Sequence, residues 1–168
     1  MKGKFMANEK YKITVTKDHL VFCSGHFISY ENSKCERLHG HNYRVRVEIE
    51  GKLDENHYVF DFIALKDRTK EITDLLDHRM MLARNNSVIK VKEEPNRVVV
   101  RYNQKEWIFP AEDCVILPIA NTTAEQLAFY IGQCLLASLK KQHNYTPEIL
   151  RVEVEESFGQ SATCELQG

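Results

Sequence analysis

Residues 39–50 have the sequence HGHNYRVRVEIE, in which two kinds of side chain alternate. Tyr43, Val45, Val47 and Ile49 fall on one side of an extended chain, and charged residues fall on the other. This alternation predicts an antiparallel β-strand with one face in the core and a polar opposite face. His39 and His41 share the parity of the apolar residues, so they extend the inward face of the strand.

The segments before and after this strand predict an α+β fold. Residues 11–22 indicate a strand or a strand pair, with a turn or bulge around Asp18-His19 where the alternation changes phase. Asp61 is a candidate N-cap for a helix that ends at about Leu76. The apolar stripe of this helix consists of Phe62, Leu65, Ile72 and Leu76.

The second half of the chain predicts another helix and two more strands. The helix runs from about Ala124 to Lys141, with Thr122 and Glu125 as a capping box. It is followed by a strand with residues 150, 152 and 154 inward, and by a short strand over residues 162–166.

Residues 85–118 are the least regular part, and they predict an inserted β segment. Short strands over residues 87–91, 97–102 and 106–109 are joined by hairpins around residues 94–96 and 103–104. The sum is an antiparallel sheet with two helices on one face. We expect a single domain of residues 11–168 behind a flexible tail of residues 1–10.

Composition excludes several classes of protein. The 168 residues suit one domain, and the net charge of −1 provides no global basic field for nucleic acid. The longest apolar run, residues 114–120, contains Pro118 and is far shorter than the roughly 20 residues that cross a membrane. The five cysteines form no CxxC motif, which favours a reducing compartment. We therefore expect a cytoplasmic protein without nucleic-acid or membrane partners.

Three histidines are candidate metal ligands. His26 ends the first β region, which pairs naturally with the strand that begins at His41, and Gly40 adds no bulk between His39 and His41. Three neutral imidazoles with one open position are the usual ligands of a catalytic zinc ion. For the His-Gly-His motif alone, two histidines hydrogen-bonded at the mouth of a sheet are the alternative.

Cys35 lies four residues before His39 and has two interpretations. As a fourth ligand it would close a structural zinc site. We favour a position on the lip of the loop, close to the metal without binding it. Its cationic neighbours Lys34 and Arg37, together with a nearby metal, would favour the thiolate, although an inert thiol is the alternative.

The pair Asp77-His78 ends the first predicted helix. A carboxylate beside a histidine can fix the tautomer and raise the basicity of the ring, which is typical of a proton shuttle. A histidine that interacts with the negative end of the helix explains the pair equally well.

Glu156 continues the inward parity of residues 150, 152 and 154. An unpaired inward carboxylate is costly, so it needs a partner. A ligand with adjacent N–H donors and a protein arginine are two such partners. A bulge at residues 155–156 that turns the side chain outward is the third possibility.

In chain order, these motifs match a known family. They are Phe22 to His26, Cys35-x-x-x-His39-Gly40-His41, Leu76-Asp77-His78, Asn121 to Glu125 and Val154 to Ser157. The set resembles the 6-pyruvoyltetrahydropterin synthase / 6-carboxytetrahydropterin synthase family over nearly all of residues 11–168, except around 85–118. The resemblance implies a tunnelling fold (T-fold), whose sheets join in trimers to close a barrel. Two trimers stack into a homohexamer with active sites between subunits.

The resemblance also implies a role for each site residue. His26, His39 and His41 match the Zn²⁺ ligands, and Cys35 matches the catalytic thiol. Asp77 and His78 match its partner dyad, Glu156 matches the anchor of the pterin ring, and Thr123 lies in the pterin-binding turn. Ala124 replaces a second hydroxyl-bearing residue of that turn, so contacts there fall to Thr123 or the backbone.

The implied substrate is 7,8-dihydroneopterin triphosphate. The CxxxHGH spacing matches the queuosine-biosynthesis members, so we favour 6-carboxy-5,6,7,8-tetrahydropterin as the product, with elimination of triphosphate to the 6-pyruvoyl compound as the alternative. Glu36 is a candidate second catalytic residue, because a glutamate there is associated in this family with retro-aldol cleavage to 6-hydroxymethyl-dihydropterin. A solvated loop residue is the alternative for Glu36.

Two alternatives involve no catalysis. A zinc-stabilised binding module would use Cys35 as the fourth ligand of a structural metal. A metal-free T-fold protein would bind a purine or pterin through Glu156 alone.

Overall fold

The computed structural model describes residues 9–16, 20–31 and 33–168. Two predictions, a tail that includes residues 1–8 and a turn at Asp18-His19, lie outside the described residues. The helices are α1 (Phe62–Leu76) and α2 (Ala124–His143). The strands are β1 (Tyr11–Val15), β2 (Val21–His26), β3 (Ser29–Tyr30), β4 (Lys34–Cys35), β5 (His39–Gly51), β6 (Arg79–Ala83), β7 (Lys90–Glu94), β8 (Arg97–Tyr102), β9 (Lys105–Pro110), β10 (Cys114–Leu117), β11 (Ile149–Ser157) and β12 (Gln160–Gln167).

The long strand β5 organises the main sheet. Its first half pairs with β2 and its second half with β1, while β11 pairs along its other edge and carries β12. All these pairings are antiparallel. The predicted inward residues of β5 are fully buried: Tyr43, Val45, Val47 and Ile49. The strand predicted from the alternation is therefore confirmed, and it begins at the first histidine.

The prediction of a purely antiparallel sheet is wrong. The strand β6 pairs in parallel with β2, and β10 pairs in parallel with β6, so the sheet is mixed. In β6 the residues Met80 and Leu82 face one hydrophobic core, while Met81 and Ala83 face another. A strand buried on both faces is a continuous apolar run, and it therefore lacks the alternation that predicts a strand.

Helix α1 begins as predicted. The carboxylate of Asp61 accepts a hydrogen bond from the backbone N–H of Ala64 at 2.7 Å, which satisfies one free donor of the first turn. Leu65, Ile72 and Leu76 are buried, but Phe62 is 56% exposed, so its place in the apolar stripe was predicted wrongly.

The predicted capping box of α2 is also wrong. The N-cap is Thr123, and its side chain makes no capping hydrogen bond. The hydroxyl of Thr122 instead donates to the carbonyl oxygen of Phe27 at 3.4 Å and is buried. Residue 122 therefore ties the start of α2 to the end of β2.

Two hydrophobic cores result. In the main core, α2 packs on β11 and β12, and α1 packs on α2 and β2. Strands β7, β8 and β9 form a separate three-stranded antiparallel sheet with turns at Pro95-Asn96 and Asn103-Gln104, as the sequence predicts. A second core joins this sheet to β6: Phe27, Met80, Leu82, Ile89, Val98 and Val100.

The polar face of β5 is less exposed than its composition indicates. The carboxylates of Glu48 and Glu50 are buried, because Arg151 on β11 donates to both, at 2.9 and 3.1 Å. Lys12 on β1 also pairs with Glu48. The face of the main sheet that points away from the helices therefore carries a network of ion pairs.

The described cysteines are all free thiols. In the part of the chain that the structure describes, neither helix is both long and apolar enough to cross a membrane.

Candidate active site

The three predicted histidines lie together where β2 ends and β5 begins. The antiparallel register places His26 directly opposite His39, and Ser24 opposite His41. The nearest ligand atoms of the three rings all lie within 4.8 Å of one another, and the Nε2 atoms of His26 and His39 are 3.2 Å apart. The predicted convergence of three imidazoles is confirmed, and the cluster could hold a metal ion.

Backbone hydrogen bonds orient two of the rings. The Nδ1–H of His26 donates to the carbonyl oxygen of Thr122 at 2.9 Å, and that of His39 donates to the carbonyl oxygen of Arg37 at 2.8 Å. Each ring therefore keeps its Nε2 lone pair free for a metal, the arrangement that metal-binding histidines usually show.

His26 is held in its neutral form. Burial, with the nearby His39 and His41, lowers the pKa of its imidazole to about 4, although the Thr122 carbonyl opposes the shift. A neutral imidazole is the form that binds a metal ion. A donor set of three imidazoles fits zinc, so these residues suit the cofactor that the sequence predicts.

Two carboxylates flank the histidines. An oxygen of Glu156 lies 3.4 Å from Nε2 of His26 and 3.8 Å from Nε2 of His41. An oxygen of Glu36 lies 3.8 Å from Nε2 of His39. A solvated loop residue without a role in the site was the alternative prediction for Glu36. The side chain of Glu36 is 40% exposed, but it faces the histidine cluster.

Glu156 sits at an irregularity of β11. The pairing with β12 shifts register between Glu155 and Ser157, so the bulge considered from the sequence is present, yet the carboxylate still faces inward. Its partner in the chain is the hydroxyl of Tyr43, which donates to it at 3.4 Å. Burial, together with the charge of Glu156, raises the pKa of Tyr43, so this hydroxyl stays a donor.

Glu156 also lines a cavity of about 350 Å³, within the range of small-molecule sites. The other lining residues are Ile28, Thr123, Ala124, Glu125, Gln160, Ser161 and Ala162. Glu156 and Thr123, which the resemblance assigned to pterin binding, therefore border one space next to the histidines. A cavity of about 430 Å³ near Phe62 lies elsewhere and contains none of these groups.

Cys35 is placed differently from the three histidines. It lies in β4, is not a member of the three-histidine group, and packs against the second core. Burial and Glu36 raise the pKa of the thiol, and the opposing cation is Lys105 of β9. Among the protein groups, burial therefore outweighs the positive charge that acts on the thiol. The prediction of a thiolate also counted on a nearby metal, and it stays a prediction.

Asp77 and His78 form the predicted pair. A carboxylate oxygen of Asp77 lies 2.9 Å from Nδ1 of His78, and the other accepts from the backbone N–H of Cys23 at 2.7 Å. The Cys23 N–H, with His78, lowers the pKa of Asp77. The alternative of a helix cap does not hold for the ring of His78, which is 83% exposed and paired with Asp77.

This dyad stands apart from the rest of the site. Among the described residues, no hydrogen bond, ion pair or ring contact joins His78 to Cys35 or to the histidine cluster. Within one chain, the histidine cluster thus lies together with Glu36, Glu156 and Thr123. Asp77 and His78 lie apart from these residues.

Sequence reasoning missed two groups of residues. Tyr43 and Thr122 were placed in the core and in a cap, although they contact Glu156 and His26. The feature that could have indicated these contacts is that each residue carries polar atoms at a position predicted to be in the core or in a helix cap. Residues 160–162, at the start of β12, also line the cavity, but nothing in the sequence indicated this. Their position depends on the bulge in β11.

Comparison with known proteins agrees with these features. The family model described as 6-pyruvoyl tetrahydropterin synthase matches residues 14–167. A Pyrococcus horikoshii protein provisionally named 6-carboxy-5,6,7,8-tetrahydropterin synthase is 42% identical over 125 residues, which are 74% of this chain and 73% of that protein. A Methanocaldococcus jannaschii protein with the same provisional name is 33% identical over 144 residues, 85% of this chain and 88% of its own.

The fold has solved counterparts. The crystal structure of Plasmodium vivax 6-pyruvoyltetrahydropterin synthase superposes with a TM-score of 0.87 at 28% identity, over 95% of this chain and 99% of that chain. The Plasmodium falciparum synthase gives a TM-score of 0.85 at 30% identity, with the same coverage. Another structure of the Plasmodium vivax protein has a catalytic glutamate replaced by alanine. On the family model, the relatives and the shared T-fold, the chain belongs to the 6-pyruvoyl tetrahydropterin synthase family.

Proposed function

We propose that this chain is a zinc-dependent lyase that converts 7,8-dihydroneopterin triphosphate into 6-carboxy-5,6,7,8-tetrahydropterin. The observation that carries the proposal is the convergence of His26, His39 and His41 beside a cavity that shares Glu156. The names of the Pyrococcus horikoshii and Methanocaldococcus jannaschii relatives support this product.

The histidines would hold zinc, which, when bound, supplies a Lewis acid that acidifies substrate hydroxyls and the adjacent C–H bond. Glu156 accepts N–H groups of the pterin ring, because its carboxylate borders both the cavity and the cluster. Thr123 offers a hydroxyl that no capping hydrogen bond uses. Cys35 acts as the base that removes a carbon-bound proton, and the triphosphate leaves the side chain. One water then adds as the side chain is cleaved, so that the carboxy group forms and the other two carbons leave as an aldehyde.

A second activity is favoured by the position of Glu36. Its carboxylate lies 3.8 Å from Nε2 of His39, whereas Cys35 packs against the second core. In this route Glu36 takes a proton from a substrate hydroxyl, and the adjacent C–C bond breaks in a retro-aldol step. The two-carbon fragment leaves as an aldehyde that carries the triphosphate, and the pterin fragment takes up a proton to give 6-hydroxymethyl-dihydropterin. The catalytic glutamate of the Plasmodium vivax synthase supports this second route.

The separation of the dyad favours an assembly with shared sites. In this proposal, three chains close their sheets into a barrel, two trimers stack, and Asp77-His78 of one subunit serves Cys35 of another. The exposure of the His78 ring, 83% in a single chain, fits a group that meets its partner across an interface. The free thiols fit the cytoplasm as the site of action.

Metal analysis and product analysis test the proposal together. Purified protein is assayed for bound zinc, and its products from dihydroneopterin triphosphate, with zinc and Mg²⁺ present, are identified by mass spectrometry. Cys35→Ala is expected to keep its zinc and lose the carboxy product, while Glu36→Gln is expected to lose only the hydroxymethyl product.

Other outcomes separate the alternatives. Loss of zinc in Cys35→Ala, with unfolding by chelator, supports a zinc-stabilised binding module. A pyruvoyl product supports the elimination reaction of the family name. Unchanged substrate contradicts every catalytic proposal, and protein without metal supports a binding protein that uses Glu156 alone.

A further inference from the structure

The β7–β9 sheet presents one face to the loop that carries Cys35. In the register of β8 and β9, Tyr102 pairs with Lys105, Val100 with Trp107 and Val98 with Phe109. Directly paired residues share a face of the sheet, and so do alternate residues along each strand. These six side chains therefore form one surface, with Lys105 at its rim beside the turn.

That surface contacts three residues that lie between β2 and β5: Phe27, Ser33 and Cys35. The ring of Trp107 stacks on Phe27 with centroids 4.9 Å apart and planes at 25°. The hydroxyl of Tyr102 donates to the carbonyl oxygen of Ser33. Cys35 packs against the core that Val98 and Val100 build with Phe27. The segment that contains Cys35 is thus held in place by the β7–β9 sheet, which lies far from it in the sequence.

Lys105 brings a positive charge to the thiol. Because it lies opposite Tyr102 on the same face, its side chain extends toward the loop that Tyr102 contacts. Two charged groups act on the pKa of Cys35: Lys105 lowers it, and Glu36 raises it, while burial raises it most. The buried residues of the second core, against which Cys35 packs, are all apolar.

We propose that Lys105 is a positioning residue for Cys35, and that the β7–β9 sheet holds the thiol loop so that this ammonium group stabilises the thiolate. The thiol proton passes to solvent and Lys105 keeps its own. Any catalytic role of that thiolate rests on the proposed function. The electrostatic interaction between Lys105 and Cys35, called their pairing below, does not depend on it.

Alkylation kinetics test the pairing without any catalysis. Metal-free protein is treated with iodoacetamide across a pH series, and modification of the Cys35 peptide is followed by mass spectrometry. Cys23, an exposed thiol on β2, is the internal reference. Lys105→Met is expected to slow alkylation of Cys35 by about two- to fivefold near neutral pH, and Lys105→Arg to restore it. The difference is expected to shrink in high salt.

The matched control is Lys92→Met. Lys92 pairs with Val99, on the opposite face of the same sheet, and forms an ion pair with Glu94. Its substitution is expected to leave the Cys35 profile unchanged. A Lys105→Met profile that superposes on that of the wild type, or an equal slowing in Lys92→Met, overturns the proposal.

Product formation separates the two hypotheses. If Lys105→Met shifts the alkylation profile while Cys35→Ser still forms the carboxy product at the full rate, the pairing stands and the catalytic role of Cys35 fails. If alkylation is unshifted while Lys105→Met loses turnover, Lys105 acts elsewhere and the pairing fails.

Discussion

The backbone of Gly40 approaches Ser24 so closely that a Cβ atom at position 40 would lie 2.9 Å from the carbonyl oxygen of Ser24. The contact joins β5 to β2 between the two histidines of β5. It lets His26 lie directly opposite His39. The glycine of the His-Gly-His motif is thus required for two reasons. It allows β5 to approach the neighbouring strand β2 closely, and it leaves space between the two imidazole rings.

Gly40→Ala is expected to force the two strands apart. Overpacking against backbone costs about 1–3 kcal/mol of unfolding free energy, which urea titration measures. Displaced rings are expected to bind zinc about tenfold more weakly, as measured by competition with a chromophoric chelator. Gly25→Ala is the control, because its Cβ would meet the flexible thioether of Met80 at 3.2 Å and the backbone oxygen of His39 at 3.7 Å, an ordinary van der Waals distance. Zinc affinity equal to that of the wild type in Gly40→Ala would contradict the argument.

Tyr43→Phe is expected to weaken substrate binding more than stability. The substitution removes the donor to Glu156 but keeps the ring stacked on Phe22, with centroids 4.8 Å apart. A hydrogen bond of this kind contributes about 0.5–1.5 kcal/mol, so KM for the pterin substrate is expected to rise about two- to tenfold. Steady-state kinetics measure this, with Tyr130→Phe as control. An unchanged KM would show that Tyr43 does not orient Glu156 for binding.

Mixed oligomers test whether His78 serves a neighbouring subunit. Cys35→Ala and His78→Ala are each expected to be inactive as pure proteins. If the thiol and the dyad of one site come from different chains, random co-assembly at equal amounts is expected to restore about a quarter of wild-type activity. Co-expression with two affinity tags isolates the mixed species. A mixture that stays inactive places thiol and dyad in the same chain.

Arg151→Met is expected to destabilise the chain only above acidic pH. Burial raises the pKa of Glu48, but hydrogen bonds from Lys12 and Arg151 outweigh it and leave the pKa below 4.5. A carboxyl with a lowered folded-state pKa contributes stability above its unfolded pKa, and this contribution is lost as pH falls through the folded value.

The expected loss in Arg151→Met is about 1–3 kcal/mol at neutral pH, because two buried carboxylates lose a donor. Urea unfolding at a series of pH values measures it, and the two proteins are expected to converge in acid. Lys70→Met, which removes an exposed ion pair with Asp74 on α1, is the control and is expected to be nearly neutral. A constant difference at all pH values would exclude Glu48 as the cause.

The histidine cluster was predictable because it depends on short-range geometry. Strand parity places His39 and His41 on one face, and a hairpin-like pairing of neighbouring strands brings His26 opposite them. Asp61 was predictable for the same reason, since an N-cap acts three residues away.

The remaining features depend on contacts that sequence spacing does not encode. The apolar run of β6 reflects burial between two cores, which no periodicity reveals. Thr122 fitted a capping pattern, but the carbonyl of Phe27, far away in sequence, binds its hydroxyl. The influence of Lys105 on Cys35 likewise depends on how two distant segments pack.

The histidines and the thiol are anchored in different parts of the molecule. His26 and His39 belong to the strands under the main core, whereas Cys35 rests on the second core with Trp107 and Val100. Under the proposed function, we expect variation in the three-stranded sheet to move the thiol without displacing the three histidines. Thiol reactivity and metal affinity would then change independently of each other.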